Sequence, residues 1–252
     1  MKIVAMFSTK GGVGKSTVTS NFGSVMNLEN RKVVSMDCDP NNTLKYHYGL
    51  SQNYSEGHAL LGLNNSPISS CVHQLSTGEK IIPFGNLTEV ELVAYEKKLL
   101  EDPYFLKKQI ASLQLKDNEI LLLDAPSGSS IFTQQVLNAA NISVLVMLPD
   151  AASYLTLERS LKLINKHCVG KDYIGTMFLV NQVHRNFELN SDVFDMLQYQ
   201  LQNHIIVEIH QDQAVAESLA NGMNILKYAP QSLATEDFID AAQTLESYLL
   251  GN

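Results

Sequence analysis

The run Thr9-Lys10-Gly11-Gly12-Val13-Gly14-Lys15-Ser16-Thr17 gathers the groups that hold a nucleoside triphosphate. Glycines 11, 12 and 14 let backbone N–H groups, that of Val13 among them, approach phosphate oxygens without side-chain obstruction. A helix beginning near Lys15 would add favourable partial charge for the anion. Lys15 would neutralise the β- and γ-phosphates, the Ser16 hydroxyl would ligate Mg²⁺, and Thr17 would hydrogen-bond the α-phosphate. The usual loop carries a glycine at the position of Thr9 and requires no lysine at the position of Lys10. Residue types alone give Lys10 two readings. It is a solvated lysine in a loop, or a cation offered to a facing subunit, neutralising charge as the γ-phosphate leaves.

A nucleotide enzyme must also place its metal and its attacking water. In "ILLLDAPSG" an apolar run ends in Asp124, a strand-end carboxylate suited to holding Mg²⁺ through a water. The polar segment Ser127–Ser130 follows, where it could sense the γ-phosphate. In "VVSMDCDPNN", alternation along an extended chain puts Asp37 and Asp39 on one side and turns Cys38 away. Asp37 would support a metal-bound water and Asp39 would orient the attacking one. The same Asp-Pro-Asn-Asn run also reads as a simple turn.

These groups need a scaffold that brings several strand ends together. Short apolar runs alternate with helical patterns, which predicts an α/β fold: a doubly wound, mostly parallel sheet with helices on both faces. Strands are expected at 2–7, 32–36, 80–83, 120–123, 142–148, 174–180, 204–209 and 224–227. Val18, Phe22, Val25 and Met26 form one apolar helical face, and Leu155, Leu157, Leu161 and Ile164 repeat the theme. Residues 51–76 read as an irregular excursion, and 89–115 as helical with a break at Asp102-Pro103. No repeat or linker divides the chain, so residues 1–252 are expected to form a single P-loop ATPase domain.

Composition narrows the function further. Eighteen basic against 26 acidic residues give a net charge of −8, which disfavours nucleic acid as a partner. Three scattered cysteines fit neither a disulfide framework nor a zinc site. Only Cys168 follows Asp124, too few ligands for a bridged iron–sulfur cluster. With no leader pattern and no apolar run near the ~20 residues a membrane span requires, a cytoplasmic protein is expected.

The segment Lys10–Thr17 resembles the deviant Walker A motif of the ParA/MinD ATPase family. Asp37-Cys38-Asp39-Pro40 is similar to its acidic motif, and Asp124-Ala125-Pro126 to its Walker B. The resemblance implies ATP and Mg²⁺ as cofactors, slow Mg-dependent ATP hydrolysis, and a homodimer with ATP sandwiched between subunits. Lys10 would then reach the partner's nucleotide. It also implies that Asn181 in "FLVNQV" binds adenine, with Asp212 and Glu217 in "IHQDQAVAES" touching base or ribose. "NTLKYHYGL", "IIPFGNLT", "DAASYLTL", "NQVHRNFELNSDV" and "IHQDQAVAESLANGMNILKYAPQS" resemble the BcsQ (YhjQ) cellulose biosynthesis branch. That branch implies support of a bacterial cellulose synthase complex, with BcsR and BcsE as partners. It also implies peripheral association with an inner-membrane assembly, or recruitment to a cell pole. A spatial-partitioning ATPase and a non-hydrolysing ATP-bound scaffold are the rival readings.

Overall fold

The computed structural model describes every residue except Asn30, Asn203 and Asn252. Eight strands make one sheet: β1 (Lys2–Ser8), β2 (Lys32–Asp37), β3 (His73–Gln74), β4 (Lys80–Ile82), β5 (Glu119–Ser127), β6 (Ile142–Met147), β7 (Gly175–Val183) and β8 (Ile205–His210). Their order is β3-β4-β2-β5-β1-β6-β7-β8, and every pairing is parallel except β3 with β4. Central strands such as β1, β5 and β6 are apolar on successive residues because both of their faces are covered.

Each face of the sheet carries its own core. On one side Val4, Met6, Leu122, Val144 and Met177 pack against Val18, Phe22 and Val25 of α1 (Lys15–Leu28). Phe238, Ala242 and Leu245 of α11 (Leu233–Leu250) complete that layer, and Phe22 meets Phe238 edge to face. On the other side Ile3, Ala5, Phe7, Leu121 and Leu123 lie under α6 (Ile131–Ala139), α7 (Ala151–His167) and α8 (Glu188–Gln200). The doubly wound arrangement follows. It places the carboxyl ends of β1, β2 and β5 side by side, where open α/β sheets hold ligands.

The helical stretch after residue 88 breaks as expected, into α4 (Glu89–Glu101) and α5 (Phe105–Ala111) at Asp102-Pro103. Thr88 starts α4 with a capping box: its hydroxyl accepts the Glu91 N–H, and the Glu91 carboxylate accepts the Thr88 N–H.

Three expectations need correction. Residues 224–227 are not a strand; α10 (Ile225–Tyr228) stands there, because the Asn224 side chain accepts the Lys227 N–H at 3.0 Å and caps a helical turn. The excursion 51–76 is not wholly irregular. It contains α3 (His58–Leu63), a 3₁₀ turn at Ile68–Cys71, and β3, which pairs antiparallel with β4. Leu157 and Ile164 of α7 are buried, whereas Leu155 is 78% exposed and stands off the apolar face.

Candidate functional site: a phosphate loop beside a cleft

The loop between β1 and α1 has the conformation that its glycines permit. Gly12 and Gly14 adopt φ of +75° and +84°, a left-handed region that costs other residues strain. An added Cβ at Gly14 would also lie 2.4 Å from the Asn181 amide nitrogen. Gly14 closes the turn: its carbonyl accepts the Val18 N–H at 2.9 Å and begins α1. Thr9, in the place of the usual glycine, bonds its hydroxyl to that of Ser160 on α7 at 2.7 Å. The unusual residue thus pins the loop to a helix that packs on the face of the sheet opposite α1.

Lys15 is buried, and its ammonium donates to Asp124 Oδ1 at 2.8 Å. Ser16 Oγ donates to Asp124 Oδ2 at 2.6 Å, and Thr19 Oγ1 donates to Oδ1 at 3.1 Å. The hydroxyl and carboxylate expected to serve Mg²⁺ therefore stand adjacent at the site. This all-oxygen pair suits a hard cation whose other ligands come from phosphates and water.

Asp37 lies directly across from Asp124 in the register of β2 and β5. It is fully buried, and its two oxygens accept the backbone N–H groups of Asp39 (2.9 Å) and of Leu44 (3.0 Å), the first residue of α2 (Leu44–His47). Burial, reinforced by the charge of Asp124, pushes the Asp37 carboxyl up to about 8. The expected alternation holds: Cys38 turns into the core beside Met36, and burial raises its thiol well above the ordinary range. Asp39 is half-buried. Its Oδ1 accepts the backbone and side-chain N–H groups of Asn41, both at 2.9 Å, so turn and carboxylate coexist.

Lys10 reaches Asp150 of its own chain and forms an ion pair with it. Asp150 is also the N-cap of α7, accepting the Ser153 N–H at 2.8 Å. Partial burial opposes its ionisation, but the Lys10 ammonium and the Ser153 donors carry its carboxyl below the usual range. Across the loop, the Ser127–Ser130 segment is tethered to α7 as well, with Arg159 donating to Ser129 Oγ at 2.6 Å.

Beyond Gly14 lies a cleft of about 460 Å³ lined by Gly14, Thr17, Asn181, Gln182, His210 and Asp212, among others. Its shape at the end of β7 follows from a bulge. The register with β8 shifts between Asn181 and Val183, and Gln182 takes φ of +59°. Asn181 donates its amide to the Val13 carbonyl at 2.8 Å, which leaves its own oxygen for the cleft. Asp212 caps α9 (Gln213–Ala220), accepting the Ala214 N–H at 2.8 Å. Glu217 does not line the cleft. It is exposed and bonded to Gln213 and to Tyr228 Oη.

The structure therefore gathers Gly11–Thr17, Asp37, Asp39 and Asp124 at one set of strand ends, with Asn181 and Asp212 beside them. A model of the cellulose biosynthesis protein BcsQ family matches residues 1–245. The chain belongs to that family. The BcsQ of Salmonella typhi is 22% identical over 246 residues, spanning 96% of this chain and 93% of that protein. A virulence plasmid ParA family protein of Chlamydia psittaci, pGP5-D, is 25% identical over 257 residues, spanning 100% and 97%. Among solved structures, the septum site-determining protein MinD of Pyrococcus horikoshii, complexed with Mg-ADP, superposes with a TM-score of 0.77. It is 21% identical, and the match covers 97% of this chain and 96% of that one. This BcsQ family member thus has the P-loop NTPase fold of the ParA/MinD group.

Reasoning from sequence alone misses Asp150, Ser160, Arg159 and His58. Asp150 carries a signal of its own, since it is a carboxylate at the end of an apolar strand run, like Asp124. His58, whose Nε2 meets the Asp37 carbonyl at 2.8 Å, comes from the excursion, where no periodicity announces it. Burial holds its imidazole down at about 4, so it is neutral and Nε2–H is the donor to that carbonyl.

Proposed function

We propose that this chain is an ATP-binding switch ATPase, a single domain over residues 1–252 that dimerises around Mg·ATP and supports a bacterial cellulose synthase complex. The observation that carries the reading is the contact of Lys15, Ser16 and Thr19 with Asp124 beneath a glycine loop and beside a cleft of about 460 Å³. Phosphates would take the N–H groups of Gly11–Gly14 and the Lys15 ammonium, and Thr17 would reach the α-phosphate. Ser16 and Asp124 would hold Mg²⁺, which when bound neutralises charge on the β- and γ-phosphates. Asp37, opposite Asp124 and braced by two backbone N–H groups, would support a metal-bound water beside that pair.

Asp39 would orient the attacking water. Its Oδ2 has no protein partner among the described residues, so one acceptor remains for that task. Lys10 would leave Asp150 and enter the partner's site, so that each subunit completes the other. The free energy for such switching is the difference in association between ATP- and ADP-bound forms. Among the described residues no helix is long and apolar enough to cross a membrane. Attachment to an inner-membrane complex would therefore run through protein partners such as BcsR and BcsE. The named relatives support the biological setting, since BcsQ of Salmonella typhi is named for cellulose biosynthesis.

Copurification from cells expressing the cellulose synthase operon tests the reading, with wild type compared against Lys15→Ala. Operon products retained by wild type and lost from Lys15→Ala are expected. Equal retention by both proteins would remove nucleotide from the association, and no retention by either would remove the complex.

A further inference from the structure

His210 sits at the mouth of the cleft beyond Gly14, where β8 ends. Its ring is not free to choose an orientation. Asp237 of α11 accepts through one oxygen, Oδ2, from the His210 backbone N–H at 2.7 Å and from Nδ1 at 2.9 Å. A carboxylate only accepts, so the proton must lie on Nδ1. In the neutral ring this leaves Nε2 as a lone pair, and no protein donor meets it among the described residues. Asn181 is fixed in the same sense: its N–H is committed to the Val13 carbonyl, and its oxygen is left over. Two side chains from adjacent strands thus each retain an acceptor, and both are locked by contacts behind them.

We infer that His210, oriented by Asp237, is a base-reading residue. Its Nε2 accepts from an exocyclic amino group, so the cleft selects 6-aminopurine nucleotides over 6-oxopurine nucleotides. The inference rests on the cleft being the base site of the nucleotide proposed above. The chemistry is that of edge recognition. Adenine presents an N6 amino group with hydrogens to give, whereas hypoxanthine and guanine present O6, an acceptor that would face the His210 lone pair. A site built from committed acceptors rejects the 6-oxo base because its polar groups would be left unpaired. Asp237 acts as a positioning residue: it lies behind the ring and decides which nitrogen faces the base.

The test measures Kd for Mg·ATP and Mg·ITP by calorimetry on the full-length protein, with nucleotide-free melting temperature as a check on folding. ATP and ITP share their triphosphate and ribose, so their ratio isolates the base edge. In His210→Phe the ATP preference should narrow by about three- to ten-fold, the range that one hydrogen bond commands. His210→Gln should narrow it by improving ITP, since an amide can turn its NH₂ to O6. Asp237→Ala, which frees the ring to exchange tautomers, should narrow it with the imidazole still present. Equal losses for both nucleotides in all three variants, or an unchanged ratio, would overturn the inference while leaving ATP binding intact. A wild type that binds ATP and ITP equally would overturn it too. A wild type that binds neither would overturn the nucleotide site itself.

Discussion

Lys15 is the only cation bonded to Asp124 among the described residues, and that makes Lys15→Met a strong perturbation of the nucleotide-free protein. Asp124 is 0% exposed and faces buried Asp37 across neighbouring strands, so without Lys15 two carboxylates share a dry site. Breaking a buried pair by removing one partner costs about 3–5 kcal/mol. The hydroxyls of Ser16 and Thr19 still donate to Asp124, which sets the expectation near the lower bound, about 3 kcal/mol. For a chain of this size each kcal/mol moves Tm by about 2–4 °C, so a drop of roughly 6–12 °C is expected.

The penalty should depend on pH in a definite direction. The Asp37 carboxyl lies at about 8 in the folded protein, against 3.8 for an ordinary one. Between those values the folded chain holds a proton that the unfolded chain has released. Stability therefore falls as pH rises through that window, and the fall is complete above about 8. The variant should suffer most at pH 9, where Asp37 is ionised beside an uncompensated Asp124, and least near pH 5. Urea titration followed by far-UV circular dichroism gives the comparison, since the chain has no tryptophan to report by fluorescence. Lys15→Met/Asp124→Asn, which removes both charges, should recover much of the loss. A single Lys15→Met variant within 1 kcal/mol of wild type at pH 9, on the order of a single weak hydrogen bond, would refute the reasoning.

Other consequences can be tested alongside. Asp39→Ala should slow single-turnover hydrolysis of bound ATP by about 10²–10⁴-fold, the usual range for a group handling the water, and unchanged rates would remove Asp39 from the mechanism. Gly14→Ala must bear φ of +84° and push the Asn181 amide from 2.4 Å. Weaker ATP binding by calorimetry is expected, with about 1–3 kcal/mol of strain in urea titration. Thr88→Ala removes the exposed cap of α4, so it should cost about 0.5–2 kcal/mol of stability and leave nucleotide affinity unchanged.

Much of the phosphate site is legible in the sequence because its parts are local. Gly11–Ser16 is one continuous stretch of sequence, and Asp37 and Asp124 each follow a short apolar run that reads as a strand. The partners of those parts are less legible because the sheet brings them from afar. Asp150 meets Lys10 across 140 residues, Ser160 meets Thr9 across 151, and Asp237 meets His210 across 27. Spacing carries no trace of such contacts. The failed strand at 224–227 has a different cause. A four-residue segment with only Ile225 and Leu226 apolar has no period to separate helix from strand, and the Asn224 cap decides between them. Strand β3 is only two residues long and borrows its pairing from β4, so its own sequence cannot declare it.

The central claim is that this site is half of a nucleotide-dependent pair. Sedimentation velocity of wild type and Lys10→Ala, each without nucleotide, with Mg·ADP and with Mg·ATP, tests it most directly. Wild type should sediment as a dimer only with Mg·ATP, while Lys10→Ala binds nucleotide yet stays monomeric in all three conditions. A wild type whose sedimentation ignores nucleotide, or a Lys10→Ala variant that dimerises with Mg·ATP as wild type does, would contradict the account.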